Sequence, residues 1–182
     1  MLAIFVQLIF IFLFLRQIVI VLLAIWTYNT GDAPFRSTEL SVIKDLVTKY
    51  KINQDETIYD LGSGSGSATF ALAKYLPRNN FISIEKNLLL HLLASFRKNL
   101  RFDKKRFYFL RADLFMTSLR KAKIIYLYMS DRANRKLKQK LEKELKKETI
   151  ILALRFKFES KKFKLVKTIE TKYPLYIYKK IS

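Results

Sequence analysis

From about residue 57 onward, the apolar positions of the chain switch repeatedly between two spacings. Short runs of apolar and β-branched residues alternate with longer stretches in which apolar side chains recur every three or four positions. The short runs predict strands, and the longer stretches predict helices that cover a sheet. The predicted strands lie at 58–60, 80–85, 107–110, 123–128, 149–154, 163–169 and 175–178, and the predicted helices lie at 39–50, 67–75, 88–100 and 131–148.

The order of these elements predicts an α/β fold. Strands alternate with helices as far as residue 154, which indicates a mostly parallel sheet with right-handed crossovers. The last two strands follow one another with Pro174 near their turn, so they should form an antiparallel hairpin at one edge. We therefore expect one sheet of seven strands, with its ligand beyond the carboxyl ends of the parallel strands.

The N-terminal segment follows neither spacing. Between Leu2 and Trp26 the only polar side chains are those of Gln7, Arg16 and Gln17. About 20 apolar residues in a helix cross a bilayer, so we predict a transmembrane anchor. A cleaved signal peptide is the alternative, but such peptides begin with basic residues, and here no Lys or Arg precedes Arg16. The predicted organisation is an anchor at 1–28, a linker and helix at 29–50, and one domain at 51–182.

A glycine-rich loop follows the first predicted strand. Asp60 stands two residues before three alternating glycines, with the order Asp60, Leu61, Gly62, Ser63, Gly64, Ser65, Gly66. Glycines at these positions let the backbone approach a ligand closely, and the next helix offers its free N–H groups. The spacing fits neither the dinucleotide fingerprint, because Ser67 occupies its third glycine position, nor the P-loop, because no lysine follows Gly66.

The loop resembles motif I of class I S-adenosylmethionine-dependent methyltransferases. The resemblance implies a Rossmann-like, seven-stranded methyltransferase sheet and S-adenosylmethionine as the cofactor. It also implies that Asp60 works near the methionine amino group, while Gly62, Ser63, Gly64 and Gly66 make room for the cofactor. A turn-forming or helix-capping carboxylate is the alternative interpretation of Asp60.

Two more acids follow predicted strands. Glu85 ends the second strand, where a carboxylate can accept hydrogen bonds from both ribose hydroxyls of an adenosine group. Asp113 follows the third strand, and the resemblance implies that it lies near the adenine amino group. Each acid alone could be a solvated residue at a strand end, but together with Asp60 the three acids come in the order of the family.

Two further segments narrow the resemblance to membrane-anchored protein-lysine methyltransferases, such as those that modify the adenine nucleotide translocase and the ATP synthase c subunit. One is the Gly-Asp-Ala-Pro-Phe segment at 31–35, behind the apolar N-terminus. The other is Tyr128-Met129-Ser130 after the fourth strand, where amino-methyltransferases of nucleic acids carry Asp/Asn-Pro-Pro-Tyr/Phe. Tyr128 is the candidate residue for orienting the acceptor amine, and a core tyrosine is the alternative.

The net charge of the chain indicates which kinds of partner it can bind. Lys and Arg number 35 against 15 Asp and Glu, which gives a net charge of +20, and the chain has no cysteine for disulfides or thiolate metal sites. Most basic residues follow the apolar segment, so the positive-inside tendency places the domain in the cytoplasm. The basic helix at 131–148 is either a solvated face or a contact to anionic lipid headgroups, and a nucleic-acid partner is disfavoured.

The sequence therefore predicts a membrane-anchored methyltransferase that acts on lysines of a membrane-associated protein. Two alternatives stay open. One is a phospholipid amine N-methyltransferase, and the other is a non-catalytic membrane adaptor that binds S-adenosylmethionine.

Overall fold

The computed structural model describes residues 2–30, 38–157 and 160–182. The chain divides into two units, Met1–Arg36 and Ser37–Ser182. The segment at 31–35, on which part of the family resemblance depends, lies outside the described residues. Trp26 and Tyr28 are residue types that are common at membrane–water interfaces, and the sequence suggests this place for them. Their side chains are also outside the described residues.

The first unit contains one helix, α1 (Leu2–Thr30). Its described side chains, at 4–18, 20 and 21, are all exposed. Across the described residues, no helix combines the length and apolar character that crossing a membrane requires. The prediction of a helix here is confirmed, whereas the predicted transmembrane span at 1–28 is not found among the described residues.

The second unit is built on a sheet of seven strands in the order β3-β2-β1-β4-β5-β7-β6. The first five strands are parallel, and β7 runs antiparallel to both β5 and β6. This confirms the predicted mixed sheet with its C-terminal hairpin. The strands are β1 (Thr57–Leu61), β2 (Asn80–Glu85), β3 (Phe107–Arg111), β4 (Ile124–Leu127), β5 (Ile150–Leu154), β6 (Phe163–Ile169) and β7 (Leu175–Lys180).

Four helices accompany the sheet, and a 3₁₀ turn, Lys104–Arg106, precedes β3. The crossover from β3 to β4 contains no helix. The helices are α2 (Leu40–Lys49), α3 (Ser67–Tyr75), α4 (Leu88–Asn99) and α5 (Asp131–Glu144).

The two faces of the sheet bury separate cores. Along β4, Ile124 and Tyr126 join the cluster that contains α2 and α3, whereas Ile125 and Leu127 join the cluster that contains α5. This alternation follows from the two-residue period of a strand. Because both faces are covered, the central strands are apolar at almost every position, as the sequence pattern indicates.

Two details of the predicted helices are wrong. Helix α5 ends at Glu144 rather than at residue 148, because the next residue, Leu145, adopts extended backbone. The apolar spacing of Ala133, Leu137, Leu141 and Leu145 predicts that Ala133 lies on the buried face of α5. In the structure Asn134 is buried there and Ala133 is only half-buried.

Candidate active site

The carboxyl ends of β1 and β2 hold the glycine loop between them. Gly62, Gly64 and Gly66 have φ angles of +73°, +55° and +76°, a region that side-chain-bearing residues rarely adopt. The backbone N–H groups of Gly62 and Ser63 both donate to the carbonyl of Ile84, at 2.9 and 3.0 Å. The loop is therefore fixed to the end of the neighbouring strand and is not a free turn.

Gly66, the last residue before α3, is required for steric as well as conformational reasons. A Cβ atom there would lie 2.9 Å from the ring of Phe109 and 2.9 Å from the ring of Phe70. Real Cβ atoms do not approach carbon that closely, so any other residue would displace one of the rings. Strand β3, which carries Phe109, thus sets the position of a loop formed by β1 and α3.

Asp60 is the most buried acid of the site, with 2% of its surface exposed. Its Oδ2 accepts a hydrogen bond of 2.6 Å from the Thr69 hydroxyl, which lies 2.7 Å from the Ser83 hydroxyl. Burial raises the pKa of Asp60 to about 6, the bond from Thr69 opposes that shift, and the nearby charge of Glu85 adds to it. Among the described residues no Lys, Arg or His forms an ion pair with Asp60, so the site favours a cationic ligand group.

Glu85 fastens the loop from the side of β2. Its Oε2 accepts a bond of 2.9 Å from the Gly64 N–H, and its Oε1 accepts one of 2.7 Å from the Asn87 N–H. A carboxylate has about four acceptor positions, so both oxygens can still accept ribose hydroxyls. The structure therefore brings Asp60, the loop and Glu85 together, as the sequence predicts.

Asp113 lies in a different environment. Its side chain is exposed, and its Oδ1 accepts a bond of 2.8 Å from the Phe115 N–H. Its backbone carbonyl accepts the N–H groups of Met116 and Thr117 at 3.0 and 3.1 Å. The carboxylate therefore stabilises a turn, and no described hydrogen bond joins it to the loop or to Glu85.

Tyr128 and Met129 follow β4 at the same edge of the sheet. Tyr128 is half-buried and packs against the core cluster of α2 and α3. Met129 lies beside the loop, because a Cβ built on Gly62 would be 3.8 Å from its side chain. Ser130 then caps α5 by accepting a bond of 3.3 Å from the Ala133 N–H. Tyr128 is thus at the predicted edge, with part of its surface open to a ligand.

Sequence reasoning overlooked a connection across this edge. The hydroxyls of Thr38 and Tyr126 lie 3.0 Å apart, and the Thr38 N–H donates to the Ser67 hydroxyl at 3.4 Å. Burial raises the pKa of Tyr126, so its hydroxyl stays protonated. The sequence offers Ser37 or Thr38 as the cap of α2, but the N-cap residue is Glu39 and no described side chain caps the helix. Thr38 ties the chain just after the 31–37 segment to β4 and to the start of α3.

Arg97 on α4 is a second overlooked residue. Its guanidinium donates to the Ser65 carbonyl at 2.8 Å and lies 4.8 Å from the centre of the Phe70 ring. It holds the loop from α4, whereas Glu85 holds it from β2. The sequence offers no signal for this role, because 32 residues separate Arg97 from Ser65 and an arginine near the end of a helix is ordinary.

Two observations bear on whether a nucleoside cofactor fits. The Ser63 hydroxyl is buried and has no hydrogen-bond partner among the described residues, so a polar ligand group at the loop would satisfy it. The described residues contain no group of His, Cys, Asp and Glu that could hold a metal ion. The donors and acceptors at this edge fit an organic ligand with a cationic group and hydroxyls.

A cavity of about 560 Å³ opens elsewhere, at the amino ends of β4 and β5. Its lining is rich in lysine and contains none of the residues of the glycine loop. We place the candidate site at the carboxyl edge despite this cavity, because the loop, the buried acid and the unpartnered hydroxyl converge there.

Comparisons with known proteins show the family and the fold of the chain. The family model of the ANTKMT methyltransferase domain matches residues 60–164 and so spans the chain from Asp60 to the start of β6. A protein-lysine N-methyltransferase of Saccharolobus islandicus (strain REY15A) is 28% identical over 125 residues, which are 68% of this chain and 76% of that protein.

Solved structures share the fold at low identity. An RNA methyltransferase from Salinibacter ruber in complex with S-adenosyl-L-homocysteine matches with a TM-score of 0.73 and 20% identity, over 81% of this chain and 95% of that one. The precorrin-6y C5,15-methyltransferase from Geobacter metallireducens GS-15 matches with a TM-score of 0.55 and 16% identity, over 81% and 94% of the two chains.

Proposed function

Since the chain belongs to the ANTKMT methyltransferase domain family, we propose that it methylates lysine side chains of a membrane-associated protein. The observation that carries the proposal is the family match over more than half of the chain, which contains Asp60, the glycine loop, Glu85 and Tyr128. The chain is an S-adenosylmethionine-dependent methyltransferase, and the lysine acceptor follows the curated relative, whose name describes a protein-lysine N-methyltransferase.

Methyl transfer from S-adenosylmethionine to an amine requires little of the protein beyond alignment of the two reactants. When bound, S-adenosylmethionine would supply a methyl group that is already activated on its sulfonium sulfur: the S–CH3 bond would break as an unprotonated amine forms the N–CH3 bond, S-adenosylhomocysteine would leave, and the proton of the amine would pass to solvent. The protein would contribute mainly the alignment of the unprotonated amine with the cofactor. In the proposal, Asp60 faces the cofactor ammonium, Glu85 accepts the ribose hydroxyls and Tyr128 orients the acceptor amine.

The membrane association rests on sequence features. α1 is apolar apart from Gln7, Arg16, Gln17 and its last few residues, and the chain that follows it carries most of the positive charge. We propose that this segment holds the enzyme at a membrane, with the methyltransferase domain in the cytoplasm and a protein target at the same membrane. Such an arrangement raises the effective concentration of a membrane target without any special contact.

The decisive experiment incubates the full chain with membranes and S-adenosylmethionine that carries a labelled methyl group. The products are then separated into protein and lipid, and labelled protein is digested and mapped. We expect label on lysine in a membrane-protein fraction. Label confined to the lipid phase would support a phospholipid amine N-methyltransferase instead.

The matched control is Gly64→Val, which places a β-branched side chain at a φ of +55°. It should retain the membrane fractionation of the parent chain but transfer no label. Cofactor binding by the parent chain with no transfer to any membrane fraction would count against the proposed substrate and favour the adaptor.

A further inference from the structure

The outward side of α4 is apolar along its whole length. In a helix of 100° per residue, the outward positions 88, 89, 92, 93, 96 and 100 fall within an arc of about 140° and form one stripe. Asn99 is the only polar residue within this arc. The stripe, called here the outer face of α4, consists of Leu88 (44% exposed), Leu89 (54%), Leu92 (53%), Leu93 (47%), Phe96 (62%) and Leu100 (71%).

The opposite side of α4 faces the interior of the domain. Leu90 and Ala94 are buried against the sheet, so the outer face is not needed for the core. A helix in a soluble domain normally turns charged residues outward, as α5 does. A contiguous apolar surface of this size marks an interaction site, because leaving it in water is unfavourable.

Positive charge accompanies the outer face. Residues 86–102 contain Lys86, Arg97, Lys98 and Arg101 and no Asp or Glu, although Arg97 donates to the Ser65 carbonyl and Arg101 is paired with Asp103. The next turn adds Lys104 and Lys105, both exposed, and Phe102 between them and α4 is also fully exposed. This composition is typical of a helix that lies in a bilayer interface, which carries leucine and phenylalanine on one face and basic residues beside it.

We propose that the outer face of α4 docks on the surface of an anionic bilayer. The apolar side chains would enter the boundary between headgroups and acyl chains, and the exposed Lys104 and Lys105 would contact lipid phosphates. A second copy of this chain is a poorer occupant, because pairing two such faces would bring like charges together. A soluble partner protein would need acidic residues around an apolar groove, whereas an anionic bilayer presents both properties at once.

The position of α4 relates this surface to the active site. The helix begins three residues after Glu85, and its N-cap, Asn87, shares that carboxylate with the loop. Docking through α4 would therefore hold the cofactor end of β2 near the headgroups. This last step rests on the proposed function, since it implies a target lysine close to the membrane surface.

A tryptophan reporter tests the docking itself. The chain has one tryptophan, Trp26, so Trp26→Phe combined with Phe96→Trp places a single fluorophore on the outer face. The full chain would be added to vesicles of phosphatidylcholine and phosphatidylglycerol, with and without brominated acyl chains. We expect a blue shift of the emission, quenching by the brominated lipid, and weakening of both when phosphatidylglycerol is omitted or salt is raised.

The matched control carries Trp26→Phe with Leu165→Trp. Leu165 is 44% exposed but lies on β6, at the far end of the sheet from β3 and α4. Its tryptophan should stay accessible to aqueous iodide in the same vesicles. Equal shifts at both positions, or no shift at position 96 while the protein is bound to vesicles, would overturn the proposal. A concentration-dependent shift at position 96 without lipid would overturn it in favour of a second copy.

A second variant separates docking from catalysis. Leu92→Gln with Phe96→Gln removes two outward apolar side chains and touches no residue of the loop. We expect methyl transfer to membranes to fall by about tenfold or more, with an unchanged affinity for S-adenosylmethionine. If the fluorescence test succeeds and no lysine is labelled, the proposed function fails and the docking stands. If lysine is labelled equally by parent and variant, the docking fails and the proposed function stands.

Discussion

Asp60 and Glu85 end the two neighbouring inner strands β1 and β2, whereas Asp113 follows β3 at the edge of the sheet. Asp60 is buried, and Glu85 holds two backbone N–H groups, one of them in the loop. The Asp113 carboxylate is exposed and bonds only within its own turn. All three acids therefore lie at or just after strand ends. Only two of them adjoin the loop: Asp60 lies two residues before its first glycine, and Glu85 is bonded to Gly64.

The difference teaches that the inner strands hold the glycine loop and that the edge strand contacts it through a ring. β3 acts on the loop through Phe109, which contacts the position where a Cβ of Gly66 would stand. Substitutions of the three acids should therefore reduce cofactor binding to very different extents.

Asp60→Asn should have the largest effect. It keeps the size of the side chain and the acceptor for Thr69 but removes a negative charge that is buried beside the loop. Loss of a buried charge partner costs about 3 kcal/mol, so we expect the Kd for S-adenosylmethionine to rise roughly a hundredfold in isothermal titration. A change of less than threefold would remove Asp60 from the site.

The same variant should stabilise the unliganded protein at pH 7. The pKa of Asp60 in the folded state, about 6, lies above its ordinary value of 3.8. The stability that this group contributes is present below about pH 4 and is lost as the pH rises through about 6. Removing the charge should recover up to about 3 kcal/mol, measured by urea unfolding at pH 7.

A change of pH should reproduce part of this effect without mutation. Between pH 7 and pH 5 the Asp60 carboxylate passes from mostly ionised to mostly protonated, because its pKa is about 6. We expect the affinity for S-adenosylmethionine to fall by about tenfold over this range. In Asp60→Asn the affinity, although weak, should be nearly independent of pH between 5 and 7.

Glu85→Gln should have an intermediate effect. A glutamine retains one acceptor oxygen, so it can hold either the Gly64 N–H or the Asn87 N–H but not both. One unsatisfied donor costs about 1–3 kcal/mol, and we expect a loss of affinity of about tenfold. Hydrogen exchange should show faster opening at Gly64, while exchange in β4 stays as in the parent chain.

Asp113→Ala should have the smallest effect. It removes one exposed hydrogen bond to Phe115, which is worth about 1 kcal/mol of local stability. We expect the Kd to change by less than about threefold. A loss as large as that of Glu85→Gln would show that Asp113 contacts the cofactor after all, and the contrast between the strand ends would disappear.

Much of the fold follows from local sequence. The seven strands, the order of the helices and the antiparallel hairpin depend on periodicity and on short turns, which act within about ten residues. The glycine loop, Asp60 and Glu85 are equally local, because a strand, a loop and a helix follow one another directly. The sheet and its hairpin are confirmed, whereas the cofactor roles of Asp60, Glu85 and the loop stay predictions.

The remaining features depend on contacts between distant residues. Thr38 and Tyr126 are 88 residues apart, and their hydrogen bond exists only because the fold brings the two hydroxyls together. On α5, Asn134 is buried and Ala133 is only half-buried, which local spacing alone does not indicate. The exposure of the outer face of α4 could not be predicted for a different reason. Leucines lie on both sides of this helix, and the sequence pattern does not say which of them are buried.

The contact between Gly66 and the ring of Phe109 also has a consequence for synthesis of the chain on the ribosome. The loop, β1 and β2 are complete once residue 85 has emerged, but the ring that limits the loop lies on a later strand. Contacts between distant residues form late in folding. The nascent chain should therefore acquire its affinity for cofactor only after β3 has left the exit tunnel, so a released fragment that ends near residue 90 would be unable to retain S-adenosylmethionine.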